Sequence, residues 1–240
     1  MQSLQTYLRL LEVQSPVYVQ AAGIMKLKKP PNYDHVQYPE RMRLRMMEKI
    51  PEPLSATRAH YKMSKRLELM RGPEQTHNRI IYGEYGIQAL AGGRLKPQHI
   101  DNMRLQVIRK MDDKKSFAYW RFDPPWQSVT KKGQGVRMGG GKGAIKFYVT
   151  PIRARRIILE MGGEVEFEEV KPILQVVIDM LPFEARIVSR ESLEQLNKEE
   201  ELLEKMNQNP FTFEYAAKNN MLGIKKWLSP YDYLWYGKYR

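Results

Sequence analysis

The most constraining stretch of the chain is residues 131–143, KKGQGVRMGGGKG, with six glycines, four cations and no carboxylate. Glycine at this density weakens any helix or strand and leaves little side-chain bulk for a core. The stretch must therefore be a loop, and the flanking chain must fold so as to carry it. Residues 126–130 lead into it, and residues 144–150 (AIKFYVT) leave it rich in the β-branched and aromatic residues that favour strands. The expected arrangement is a loop slung between two strands of one sheet. Glycine lets the backbone approach a partner closely, and Lys131, Lys132, Arg137 and Lys142 suit phosphate oxygens.

The distribution of charge supports a polyanion as that partner. The 240 residues carry a net charge of +13, with 40 basic and 27 acidic side chains. The excess is concentrated at +6 in residues 41–79 and +10 in residues 80–160, whereas residues 161–240 sum to −4. A surface this basic fits nucleic acid, an anionic membrane or an acidic protein. The middle of the chain should face the anion and the last third should serve another purpose.

Hydrophobic periodicity places the packed domain at residues 80–190. Residues 82–90 read as a strand, followed by a turn at Gly92, Gly93 and Arg94. Pro97 opens a helix, where its missing N–H costs nothing, and Ile100, Met103, Val107, Ile108 and Met111 form one apolar stripe. Residues 116–122, 157–160 and 183–189 read as further strands, and Val170, Ile173, Leu174 and Val177 give a second core helix over residues 168–180. The expected class is α+β: a mixed sheet with two helices packed on one face, plus N- and C-terminal extensions.

Residues 1–79 combine a short amphipathic, acid-poor start with an irregular basic arm rich in proline, which can order over an RNA surface. Residues 191–240 comprise a charged helix with Glu194, Glu199, Glu200, Glu201 and Glu204, then a tail dense in Phe, Tyr and Trp that is expected to dock.

Several chemistries fit poorly. The chain has no cysteine, and His35, His60, His77 and His99 are too scattered for a metal site. No apolar run reaches the roughly 18 residues of a membrane span, so no membrane insertion is expected. The loop fails as a Walker A motif because Gly143 stands where Ser or Thr would hold magnesium, and Val136 replaces the first glycine. Gly139, Gly141 and Ala144 have dinucleotide-loop spacing, but a strand follows where a helix is needed. No catalytic residues, cofactor or metal are assigned. A nucleotide-using enzyme and membrane-surface association remain the alternatives, to be separated by nucleotide-binding and liposome-flotation measurements.

Residues 85–90 (YGIQAL), 93–95 (GRL), 137–143 (RMGGGKG), 159–163 (LEMGG) and 171–182, in that order, resemble the large-subunit ribosomal protein L-sixteen family over residues 82–190. The segments NQNPFTFE (207–214), MLGI (221–224) and LSPYD (228–232) resemble the C-terminal extension of its animal mitochondrial branch. The resemblance implies an α/β-hammerhead-type fold and a non-catalytic protein of the mitochondrial large ribosomal subunit, in the matrix, with an N-terminal import signal. The implied partners are large-subunit mitochondrial rRNA near the aminoacyl-tRNA site, aminoacyl-site tRNA itself, and neighbouring ribosomal proteins through the C-terminal extension. The residues expected on rRNA are Arg137, Lys142, Gly139, Gly141, Gly143, Lys131, Lys132 and Arg94; those nearest tRNA are Arg137, Met138 and Gly140. Bacterial members usually read RMGKGKG, so Gly140 stands where they carry lysine.

Overall fold

The computed structural model describes residues 31–52 and 60–239. Tyr33–Arg240 forms one compact unit. The amphipathic start and the import-signal reading lie outside the described residues. The strands are β1 (Tyr85–Ala89), β2 (Gly93–Leu95), β3 (Ser116–Trp120), β4 (Gln127–Lys131), β5 (Ala144–Ile152), β6 (Ile157–Gly163) and β7 (Ala185–Ser189). The helices are α1 (Pro97–Lys110), α2 (Phe167–Asp179), α3 (Arg190–Met206), α4 (Phe213–Lys218) and α5 (Pro230–Trp235).

The α+β class is as expected, with the sheet divided. Strands run β3-β6-β1-β7 in one sheet and β2-β5-β4 in another, and every strand pair is antiparallel. Two short segments account for the division. Residues read as a turn at Gly93 and Arg94 instead pair with Ile152 and Pro151 as β2. The run after Trp126 pairs with β5 as β4. Gly162 and Gly163, beyond the expected end of that strand at residue 160, belong to β6. Gly162 admits the Phe117 ring, which a Cβ would meet at 2.8 Å, and Gly163 takes φ +128° beside the Lys115 carbonyl.

The core forms where α1 and α2 press their stripes onto the four-stranded sheet. Ile100, Met103 and Val107 from α1 and Val170, Leu174 and Val177 from α2 cluster with Ile87, Leu159 and Met161. Burying a side chain of this size contributes about 1.5–3 kcal/mol. β6 is buried along its whole length, and its one carboxylate is the notable exception to an apolar run. Glu160, fully buried, lies 2.9 Å from Arg121 Nε and accepts the N–H groups of Tyr82 at 2.7 Å and Gly83 at 3.0 Å. That anchor explains why Tyr82 and Gly83, expected in the first strand, leave the ladder: their donors turn to Glu160.

The arm contributes to this core. Leu44 and Met47 are buried within it, the Met42 carbonyl accepts from Ala118 N at 3.0 Å, and the Arg45 carbonyl accepts from Trp120 Nε1 at 3.1 Å. Arg104 Nε on α1 donates to the Leu44 carbonyl at 3.1 Å. The chain is irregular here, as its prolines dictate, yet it is fixed by two apolar anchors and by its own carbonyls.

The tail turns back onto the same unit. Trp235 lies over Gly72, where a Cβ would meet the indole at 2.9 Å, and Arg155 sits 5.0 Å above the Tyr239 ring while pairing with Glu200 on α3.

Candidate nucleic-acid interface

β4 and β5 form a hairpin whose last pair is Lys131 with Ala144, so residues 132–143 hang from its end. Four glycines set its path. Gly135, Gly139, Gly140 and Gly141 have φ of +80°, +95°, +60° and +81°, and a Cβ on any of them would meet nothing within 4 Å. They are therefore required by backbone conformation alone, because internal packing makes no demand on them. Gly143 differs: its Cβ would meet the Lys131 carbonyl at 2.5 Å, so it is needed for the closure of the hairpin.

The cations expected on the loop fall into two groups. Lys132 Nζ turns inward to the carbonyls of Arg137 and Gly139, bracing the loop across its own width. Lys142 Nζ donates to the Lys62 carbonyl at 3.4 Å while Lys62 Nζ donates to the Lys142 carbonyl at 3.3 Å. Arg137 and Lys131 are exposed, and their side chains make no ion pair or hydrogen bond among the described residues. Beside Arg137, Met138 is 97% exposed and Val136 is exposed as well. The outer rim thus presents a guanidinium, apolar side chains and open backbone, the mixture that lets a protein lie closely on a nucleic-acid backbone.

Arg94 stands elsewhere. It pairs with Pro151 in β2, seven residues up β5 from Ala144, roughly 23 Å at the usual rise of a strand. Half-buried, it donates to the Lys65 carbonyl at 2.8 Å, and burial pushes its guanidinium pKa down. It holds the arm in place, apart from the loop.

The arm also supplies parts of the interface that sequence reasoning missed. Residues 61–65 run along the outer side of β4: Ser128 Oγ donates to the Tyr61 carbonyl and accepts from Met63 N, both at 2.8 Å, and Gln127 Nε2 donates to the Ser64 carbonyl at 3.2 Å. Lys62 thereby reaches the base of the loop from 80 residues away in sequence. No local pattern announces that contact. Two polar residues, Gln127 and Ser128, buried in a strand entering a basic loop were the available signal.

Residues 56–188 match the family described as Ribosomal protein L16p/L10e. The chain belongs to that family. Large ribosomal subunit protein uL16 of Bifidobacterium adolescentis is 34% identical over 121 residues, covering 50% of this chain and 85% of the relative. The proteins of the same name from Oenococcus oeni and Pediococcus pentosaceus are 36% and 33% identical over 121 and 124 residues, covering 82% and 84% of their own lengths. The L16p/L10e match spans the loop, both sheets and the core helices α1 and α2, and leaves α3, α4 and α5 outside it. Among the described residues no helix is long and apolar enough to cross a membrane, and no group of three metal-ligating side chains occurs.

Proposed function

We propose that this chain is a structural constituent of the mitochondrial large ribosomal subunit, binding large-subunit rRNA near the aminoacyl-tRNA site. The observation that carries the reading is the hairpin loop itself. Its glycines hold an open, unpacked path and its rim offers Arg137 and Lys131 unpaired, in a family whose bacterial relatives bear the name large ribosomal subunit protein. Arg137 and Lys131 meet phosphate directly. Lys132 and Lys142 brace the loop, and Gly139, Gly141 and Gly143 permit close approach. Met138 and Gly140, at the tip, face tRNA. Arg94 supports the RNA-facing arm.

In this reading residues 80–190 are the RNA-binding domain, residues 1–79 provide a presequence and a basic arm, and residues 191–240 reach neighbouring ribosomal proteins. Support for the last comes from the tail's outer side, where Trp227 is 85% exposed and Leu222 wholly so. Leu222 also holds φ +52°, a left-handed conformation that costs a non-glycine residue about 1–2 kcal/mol and persists where the surroundings impose it. The mitochondrial assignment rests on the NQNPFTFE, MLGI and LSPYD segments. The role is one of contact; the site holds no set of groups for catalysis.

The test is sedimentation of the tagged full chain from mitochondrial lysate prepared without ribonuclease. Migration with the large subunit, lost after ribonuclease treatment, is expected. Recovery at the top of the gradient, or with the small subunit, overturns the proposal.

A further inference from the structure

A cleft of about 780 Å³ opens beside the loop, between the start of α1 and the strand β5. Its walls carry Lys49, Lys96, Lys146, His60, Phe147 and Tyr148 and no carboxylate. Lys49 is paired with Asp101 at 2.8 Å, whereas Lys96 and Lys146 form no ion pair among the described residues. The topology explains why this space exists. β2 is only three residues long and pairs with β5 at Thr150, Pro151 and Ile152. The chain then turns into α1, so the edge of β5 over residues 144–149, opposite β4, has no strand beside it among the described residues.

Three rings line the cleft, those of His60, Phe147 and Tyr148. His60 packs at 5.6 Å against Tyr148, and Lys96 Nζ lies 5.7 Å from the Phe147 centroid. Tyr148 is buried against the sheet while Phe147 remains partly open to the cleft. A second, shallower hollow shares Ile145 and Lys146 with the cleft and is otherwise lined by Lys131, Lys132, Gly133, Gln134 and Ala144. One cationic surface therefore runs from the loop base into the aromatic cleft.

We infer that the cleft is a second RNA subsite, which takes an unpaired nucleotide flipped out of the strand that the loop contacts. The base lies on the open ring of Phe147, and its flanking phosphates meet Lys96 and Lys146. This pairing of aromatic platform with backbone-tracking cations is the general chemistry of single-stranded RNA binding, and duplex RNA cannot supply the free base. An acidic peptide would satisfy the lysines and leave the rings without a stacking partner. The inference rests on the ribosomal reading above and adds to it a demand for an unpaired base.

The test uses the full chain with an unstructured RNA of about a dozen nucleotides carrying one 2-aminopurine, whose fluorescence falls on stacking, and a paired RNA of equal length. Wild type should quench the probe, Phe147→Leu should abolish the quench and weaken single-strand binding by about tenfold, and Phe147→Tyr should restore both. Lys146→Gln should weaken single-strand binding and reduce the log–log salt slope by about 0.7. Thermal melting checks that each variant is folded. Unchanged quenching in Phe147→Leu overturns the inference, as does an equal loss of single-strand and duplex binding. If Arg137→Glu lowers RNA affinity while Phe147→Leu does not, the cleft fails and the loop reading stands. If wild type binds neither RNA, both fail.

Discussion

Alanine placed at Gly139 or Gly141 separates two reasons for which a loop can need glycine. At both positions an added Cβ would meet open space, so packing predicts no penalty. Their φ values of +95° and +81° lie beyond the small left-handed well open to L-residues, which is centred near +57°. Forcing alanine there costs about 1–2 kcal/mol, and the cost falls on the loop conformation alone. Because the loop packs against little, Tm should stay at the wild-type value. The fraction of molecules in the binding-competent shape should drop, weakening affinity for large-subunit rRNA by about 5–30-fold. Gly140→Ala should cost less, since φ +60° sits inside that well, consistent with the bacterial pattern that places lysine there. Gly143→Ala provides the opposite control: its Cβ would press on the Lys131 carbonyl, so both Tm and affinity should fall. Filter binding and thermal melting on the same preparations give both quantities. Wild-type affinity for Gly139→Ala with unchanged Tm would refute the argument that this loop path is what RNA meets.

Three further outcomes follow from the scaffold. Leu44→Ala, which empties a core position supplied by the arm, should cost about 2–5 kcal/mol, or roughly 5–15 °C in Tm. A shift under a degree in the RNA-free chain would mean that the arm is not part of the fold. Glu160→Ala strands the buried Arg121 and several backbone donors, and should cost about 3–5 kcal/mol in denaturant unfolding. Glu160→Gln, which keeps an acceptor oxygen, should cost about 1.5–3 kcal/mol, and equal losses in the two variants would contradict the role given to the charge. Burial, and then Lys96, hold the His99 imidazole below its ordinary pKa of 6.5. The unfolded chain thus binds more protons there, so stability should fall as pH drops below that value and be flat in this respect above it. His99→Gln should remove part of the acid sensitivity, and superimposable stability–pH curves for the two proteins would count against it.

The elements most legible in the sequence were those whose signal is local. Pro97 announced the first residue of α1 and Ile100, Met103 and Val107 its buried stripe, and the two strands flanking the glycines placed the loop correctly. What failed depended on distant partners. Gly93 and Arg94 looked like a turn because two glycines precede the arginine; they became β2 only because the far end of β5 lies beside them. Among the expected site residues, Lys142 stood beside Arg137 as a phosphate contact and Lys132 in a second rank. Their ammonium groups are consumed by carbonyls of the arm and the loop, a difference that spacing does not encode.

Glu160 shows how far a local anomaly can reach. A single carboxylate in the run IILEMGG is expensive to bury, and only a set of donors from elsewhere makes the site tenable. Its partners are the backbone N–H groups of residues 81–83 and the guanidinium of Arg121, which reach it from the sides of β1 and β3, the two strands flanking β6 in the sheet. Arg121 follows β3, whose last residue, Trp120, donates its indole N–H to the Arg45 carbonyl of the arm. The arm in turn continues to Tyr61 and Lys62, which clamp β4 and the foot of the loop. A weakened Glu160 anchor should therefore be felt at the loop as well as in the core. RNA affinity in Glu160→Gln, measured below the variant's melting range, should fall even though the substitution touches no part of the interface.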